Sequence, residues 1–314
     1  MPYNFFAENV FNPEITINSG QVFLWEKLDH TWYGTYGNHI LKISQLPFEQ
    51  FYSDTGNRDN VIAIRKYHFE SFPEMHNWQN WVFRLDDDIP EIFSCLSSDP
   101  LLAKTMSRGY GLRIMRQEPC QCMVSFVCSS NTNIMMIRKM LRNLSKKFGR
   151  RLSVDGRDFF TFPSIKTLHE AEISELRSCG VGYRAKAIKA VAKSIVNHDL
   201  DISSLSNDSY YEAKNALLRI YGIGNKIADC ILLFSLDKLE AFPIDVWIAR
   251  ALERHYKSVI ETDFNNITLR PDSKLTPYQY VRISEIMREY FGRYSGYAQQ
   301  YLYYYIREAE GLKW

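Results

Sequence analysis

The chain has 314 residues, 46% of them hydrophobic and 24% charged, the balance of a folded protein of about two domains at roughly 150 residues each. Thirty-eight Lys and Arg against 36 Asp and Glu leave a net charge of +2, which excludes a globally basic coat for nucleic acid but not a local basic face. Disordered, collagenous and low-complexity classes are excluded as well.

Residues 1–8 carry no basic segment followed by an apolar one, so no signal peptide is expected. No apolar run approaches the roughly 18 residues of a membrane helix. The N-terminal third reads as strands and turns: residues 21–27 and 32–36 are aromatic-rich, and Gly37-Asn38 makes a turn before 39–44. Asp99-Pro100 has the form of an N-cap with proline at the first helical position, for a helix ending near Gly109. From about residue 118 the pattern is helical almost throughout. Ile134, Ile137, Leu141, Leu144 and Phe148 share one face, and Gly149 is placed for a stop in the left-handed conformation. Further helices are expected near 183–197, 209–220, 226–235, 245–256, 278–291 and 296–310. The expected architecture is α+β: a small N-terminal antiparallel β-sheet domain with flanking helices, residues 1–110, then a larger all-helical domain, residues 111–314.

The six cysteines, Cys95, Cys120, Cys122, Cys128, Cys179 and Cys230, are never spaced C-x-x-C. Reduced, buried thiols are expected, with neither a zinc site nor an iron–sulfur cluster.

The most informative stretch is Ala216-Leu-Leu-Arg-Ile-Tyr-Gly222-Ile-Gly224-Asn-Lys226-Ile-Ala-Asp-Cys230. Two helices flank a turn with two glycines, whose amides point outward at the start of the next helix as an anion site. Such a hairpin grips a phosphate and reads no base. Gly-x-Gly alone reads better as a tight αα-hairpin that merely turns the chain. Lys226 shifts the balance, because it lies in the first helical turn, where the macrodipole disfavours a cation and favours a neutral, nucleophilic amine. Nineteen residues on, Asp245 in Ala241-Phe-Pro-Ile-Asp245-Val-Trp-Ile-Ala-Arg250 is a good N-cap. It can both cap its helix and face developing positive charge.

Together these segments resemble the helix-hairpin-helix DNA glycosylases, and across nearly the whole chain the resemblance is to the 8-oxoguanine DNA glycosylase/AP lyase family. Lys226 and Asp245 fall on the catalytic lysine and aspartate. Asn18-Ser-Gly20-Gln-Val-Phe-Leu-Trp25 matches the run whose glycine carbonyl, here that of Gly20, accepts the N7–H that distinguishes 8-oxoguanine from guanine. Cys128-Ser-Ser-Asn131 matches the stretch whose asparagine enters the space left by the flipped base. Gly180-Val-Gly-Tyr183-Arg184 matches the segment with a wedge tyrosine and an arginine to the orphaned cytosine. Gly296-Tyr-Ala-Gln299-Gln-Tyr-Leu-Tyr303 matches the helix that holds the extruded base, with Gln299 and Tyr303 on one face. Lys226 and Cys230 would stack on one side of that base, with Phe234 and Pro243 nearby. Gly222 and Gly224 would sit at the DNA backbone.

The resemblance implies duplex DNA containing 8-oxoguanine as partner, a monomeric enzyme, no required cofactor and room for a monovalent cation at the hairpin. Its mechanism would extrude the base, form a Schiff base at Lys226 and nick by β-elimination. Three positions depart from the family's pattern. At one, Tyr303 replaces a phenylalanine, which leaves stacking intact. The other two depart from its eukaryotic branch. Met136 stands where an arginine reads the opposite cytosine, so relaxed opposite-base preference is expected. Trp247 stands where a histidine approaches a phosphate. The competing classes are a non-catalytic helix-hairpin-helix DNA-binding module and an alkylated-base glycosylase without a lysine nucleophile. With no separate basic import cluster, a prokaryotic cytoplasm is expected.

Read by position, the charge is informative. Pro119 to Val154 contains no acid but Arg138, Lys139, Arg142, Lys146, Lys147, Arg150 and Arg151, and Arg184, Lys186, Lys189 and Lys193 follow. These helices are expected to face the duplex, with acids such as Asp86-Asp-Asp88 set elsewhere.

Overall fold

A computed structural model describes residues 11–46, 49–52, 61–64, 67–263 and 275–311. The segment 1–8 considered above lies outside the described residues.

Three strands, Trp25–Leu28, Thr31–Tyr36 and His39–Gln45, form an antiparallel meander that a fourth, Tyr67–Phe72, joins at the His39–Gln45 edge. Its tightest packing is at Trp25 opposite Gly34: a Cβ on Gly34 would stand 2.1 Å from the indole. Glycine there lets the tryptophan lie flat across its neighbour. One face of the sheet buries Trp25, Trp32, Leu41 and Ile43 against Trp78, Val82 and Phe83. The other places Tyr33 and Ile40 against Val154 and Phe159.

Those last two residues mark a departure from the expected all-helical second domain. Arg151–Val154 and Arg157–Phe160 form a β-hairpin. Its turn is Asp155-Gly156, both with positive φ (52° and 73°), the dipeptide suited to a two-residue hairpin. The hairpin covers the sheet: Tyr33 stacks on Phe159 at 4.8 Å and donates to Asp155 at 2.6 Å. Gly149 also departs from expectation. Its φ of −84° is not left-handed. Glycine is needed there because a Cβ would lie 2.0 Å from the Thr161 carbonyl.

The remaining helices fill one large core. The expected ones form as Ile134–Phe148, Ala185–Val196, Tyr210–Leu218, Asn225–Ser235, Val246–His255, Pro277–Phe291 and Ser295–Ala309. Caps set their starts: Asn133, Ser209, Asp245 and Thr276 each accept from their own first turn. The earlier helices Ile89–Leu96 and Pro100–Arg108 share this core, with Ile92, Leu102 and Met106 buried in the same cluster as Tyr297, Tyr301 and Leu302. No helix among the described residues is long and apolar enough to cross a membrane.

The acidic run does not form a separate acidic face. Asp86 pairs with Arg116 at 2.9 Å, Asp87 accepts from Tyr297 at 2.6 Å, and Asp88 caps the Ile89–Leu96 helix. The basic stretch is likewise partly spent on the fold. Lys147 donates to Ser178, Lys189 to the carbonyls that end the Ile165–Glu170 helix, and Arg142 pairs with Glu26. Lys139, Lys146, Lys186 and Lys193 stay exposed and, among the described residues, make no ion pair.

Candidate active site

A cleft of about 1280 Å³ opens between the helical core and the sheet domain. Lys226, Cys230, Phe234, Pro243, Asp245, Trp247, Gln299 and Tyr303 line it, together with Gly20, Asn131, Gly222 and Gly224. Tyr183 and Arg184 stand at its rim against the Ser130-Asn131 turn.

The hairpin carries Lys226 into the cleft. Gly222 has φ +89°, and a Cβ there would meet the Ala187 side chain at 2.3 Å. The turn therefore packs on the Ala185–Val196 helix through its backbone. Gly224 differs: it is extended (φ −100°), and nothing lies within 4 Å of where its Cβ would be. Only the first glycine is required by the fold, and the second leaves the helix start open. Lys226 is the second residue of the Asn225–Ser235 helix; its Nζ donates to Ser129 Oγ at 3.3 Å and stands 5.3 Å from the centre of the Phe126 ring. Phe126 in turn stacks on Phe234 (5.5 Å, 11°), so the amine rests on an aromatic floor.

One turn on, Cys230 is buried, and burial pushes its thiol up to about 12 against the opposing charge of Lys226. The sulfur thus presents a neutral, polarisable surface. Asp245 accepts from the backbone N–H groups of Trp247 (2.9 Å) and Ile248 (2.8 Å). Its side chain lines the cleft and is half-buried, and desolvation by the surrounding protein raises its pKa above the ordinary 3.8; Lys226, the two N–H groups and Arg307 pull the other way. The helix cap and the cleft carboxylate are the same group.

Opposite stands the C-terminal helix. Gln299 is 5% exposed, and its buried Oε1 has no hydrogen-bond partner. An unpaired buried carbonyl costs about 1–3 kcal/mol, so an incoming N–H donor would be favoured. Tyr303 packs over Gly20, where a Cβ would fall 2.6 Å from its ring. Gly20 is held by its neighbours: Gln21 donates to Thr16 and Arg113 carbonyls and accepts from Met115 N–H, while Gln300 donates to the Ser19 carbonyl. Among the described residues no donor takes the Gly20 carbonyl. Trp247 is flanked by the guanidinium groups of Arg250 (4.7 Å) and Arg307 (5.5 Å).

At the rim Asn131 adopts φ +48° in the turn between two helices and donates to Tyr183 at 3.4 Å. Tyr183 is 59% exposed. Arg184 is engaged on its own chain, with Nε donating to the Ser130 carbonyl at 3.2 Å and the guanidinium 4.6 Å from the Tyr183 ring. Ser129, Tyr280 and Arg307 also line the cleft, and none was named as a site residue; Arg138, one of the basic residues expected to face the duplex, lines it too. Ser129 had a signal, since it lies in the Cys128-Ser-Ser-Asn131 stretch. Arg307 lies one turn beyond Tyr303 on the same helix.

Among the described residues no cluster of three or more His, Cys, Asp or Glu side chains could hold a metal ion. Residues 5–123 match the 8-oxoguanine DNA glycosylase N-terminal domain, and residues 124–262 match the HhH-GPD superfamily of base excision DNA repair proteins. The chain is 30% identical to the N-glycosylase/DNA lyase OGG1 of Arabidopsis thaliana over 92% of its own length and 75% of that protein's. It belongs to the 8-oxoguanine DNA glycosylase/AP lyase family. A probable N-glycosylase/DNA lyase of Methanothermobacter thermautotrophicus is 27% identical over 95% of this chain and 94% of that one. The 8-oxoguanine glycosylase/lyase of Clostridium acetobutylicum, solved with double-stranded DNA containing cytosine opposite the lesion, superposes with a TM-score of 0.78 at 31% identity, covering 96% and 93% of the two chains. As a member of this family the protein is a base-excision repair enzyme with DNA N-glycosylase and AP lyase activity.

Proposed function

We propose that the enzyme extrudes 8-oxoguanine from duplex DNA into this cleft and excises it through a covalent bond to Lys226. The convergence of Lys226, Asp245 and the unpaired amide of Gln299 on one cleft carries the reading. Extrusion costs a few kcal/mol of unstacking and unpairing; Asn131 and Tyr183, already in contact at the rim, would fill the gap. The base would lie against Cys230, its N7–H on the Gly20 carbonyl and its polar edge on Gln299.

The Lys226 amine, once it has given up its proton, attacks C1′ with its lone pair. The glycosidic bond breaks, and the base leaves with the bonding electrons and takes up a proton. Asp245, as carboxylate, faces the positive charge on the sugar and amine. The sugar ring then opens to an imine between Nζ and C1′. This acidifies C2′; a proton leaves C2′, and the 3′ phosphate departs with the electrons of its C–O bond. The hairpin amides near Gly222 and Gly224 would hold the duplex backbone, and the turn carbonyls offer oxygen donors for a monovalent cation. Action as a monomer is part of this reading, with Gly20, Lys226, Asp245 and Gln299 of one chain lining the cleft. Met136, exposed on the helix that follows Asn131, lacks the donors to enforce cytosine opposite the lesion.

Borohydride reduction tests this. The wild type should become covalently trapped on a lesion duplex, and Lys226→Gln should not. Undiminished trapping of the variant would overturn the covalent role. An alkylated-base glycosylase without a nucleophilic lysine would give no nick on an oxidised-purine duplex.

A further inference from the structure

A buried polar cluster lies behind the cleft. Asp229, fully buried, is three residues from Lys226 on the same helix. Its carboxylate pairs with Lys214 at 3.0 Å and accepts from Tyr210 at 2.7 Å and Tyr280 at 2.8 Å. Burial first, then the Asp229 charge, pushes both phenols well up, so both remain donors. Such clusters are weak devices for stability, because desolvation offsets most of the attraction. What they do well is fix geometry.

Of the partners of Asp229, only Tyr280 also reaches the loop that ends in Asp245. Its hydroxyl accepts the Ile244 N–H at 3.1 Å. On the same helix, Ser284 donates to the Phe242 carbonyl at 3.3 Å and Arg288 to the Glu240 carbonyl at 3.0 Å. Tyr280, Ser284 and Arg288 are four residues apart, on one face. Glu240, Phe242 and Ile244 are alternate residues of the loop that leads to Asp245. The helix is therefore a rail with three rungs, and its last rung joins the helix of Lys226 to the residue before Asp245.

We propose that Tyr280 is a positioning residue for Asp245, bridging Asp229 on the nucleophile's helix to the backbone of the loop that presents the carboxylate. This rests on the roles of Lys226 and Asp245 proposed above. Removing the hydroxyl leaves the ring in the cleft wall but frees the loop end from the lysine helix.

The test is single-turnover excision on a lesion duplex, where the rate constant and the amplitude are read separately. Tyr280→Phe, which loses both hydrogen bonds of this hydroxyl, should slow the rate constant about three- to tenfold. Affinity for the same duplex should stay within about twofold, since the ring and all DNA-facing groups remain. Tyr210→Phe, which also removes a bond to Asp229 but leaves Ile244 held, should keep the wild-type rate constant. If Tyr280→Phe lowers only amplitude or thermal stability, the residue is merely structural and the proposal fails. A double mutant sharpens this: Tyr280→Phe should add nothing to Asp245→Asn if it acts through that carboxylate. Multiplying effects overturn the positioning role alone. A wild-type rate for Asp245→Asn removes the role of the carboxylate itself, and the proposal with it.

Discussion

The inner wall of the cleft and its rim are built on opposite principles. On the wall Cys230 and Gln299 are buried and Lys226 and Asp245 half-buried, and the Lys226 amine and one Asp245 oxygen are held by neighbours before any substrate arrives. At the rim, large apolar side chains point into solvent: Met135 is 78% exposed, Tyr183 59% and Met136 43%. Adjacent exposed side chains of this size mark a surface meant to be covered. The wall is preorganised for chemistry, where a misplaced charge costs rate. The rim is exposed for recognition, where a misplaced side chain costs affinity. Substitutions on the two sides should therefore separate rate from binding.

The largest separation is expected for Asp245→Asn. Asparagine caps a helix as well as aspartate does, so the fold and the hold on DNA should survive. The rate should fall about 10²- to 10³-fold, the range for removing one charge-stabilising group. The pH dependence follows from the same burial. Because burial raises the Asp245 pKa above 3.8, activity should fall with decreasing pH through a limb above that value, and this limb should vanish in the variant. The sign for stability is the reverse of a salt-bridged carboxylate. A raised folded-state pKa means that ionised Asp245 destabilises the native state at neutral pH, a cost that disappears below the unfolded value. The variant should melt no lower than the wild type near pH 7. An equal loss of rate and binding, with a lower melting temperature, would reduce Asp245 to a cap.

The wall was legible in the sequence because its chemistry is tied to local rules. Lys226 is conspicuous as a cation at a helix start, and Asp245 as a cap before an amphipathic run. The sheet was legible from its aromatic strands and the Gly37 turn. The Arg151–Phe160 hairpin was missed although Asp155-Gly156 is a turn signal; the surrounding helical periodicity masked two strands of only four residues each. Gly149 was misread because a stop after a helix looks alike in sequence whether glycine supplies a left-handed φ or merely avoids a clash with Thr161, a contact twelve residues away. The same limit hid the roles of Lys147 and Lys189. A lysine that ties carbonyls inside the protein has the same sequence signature as one that awaits phosphate. Tyr280 could not be found at all, since its partners lie 36 and 51 residues away.

On the rim, Tyr183→Ala should act on binding. Tyr183 is mostly exposed and touches its own chain chiefly through the Ser130 carbonyl, Asn131 and Arg184. Its loss should leave thermal stability nearly unchanged. Stacking of one base on an aromatic side chain is worth about 1–3 kcal/mol, so affinity for lesion duplex, read by fluorescence anisotropy, should weaken about tenfold or more. A tenfold drop in the rate constant at saturating enzyme, with affinity intact, would move Tyr183 from the rim to the chemistry and break the division.

The smallest effect is expected at Met136, and it concerns preference instead of strength. Its backbone N–H is bonded to the Asn133 cap while its side chain is exposed, so an arginine fits there without disturbing the helix. Arg184 cannot easily supply the missing selectivity, because its guanidinium is drawn to the Ser130 carbonyl and the Tyr183 ring. The wild type should therefore excise 8-oxoguanine opposite all four bases at rates within about tenfold of one another, less than a good bidentate contact would impose. Met136→Arg should raise the ratio for cytosine over the other three by several-fold while the rate opposite cytosine changes little. The measurement is single-turnover excision on four duplexes that differ only in the opposite base. A strong cytosine preference in the wild type, unaltered by the arginine, would show that groups other than the residue at position 136 judge the opposite base.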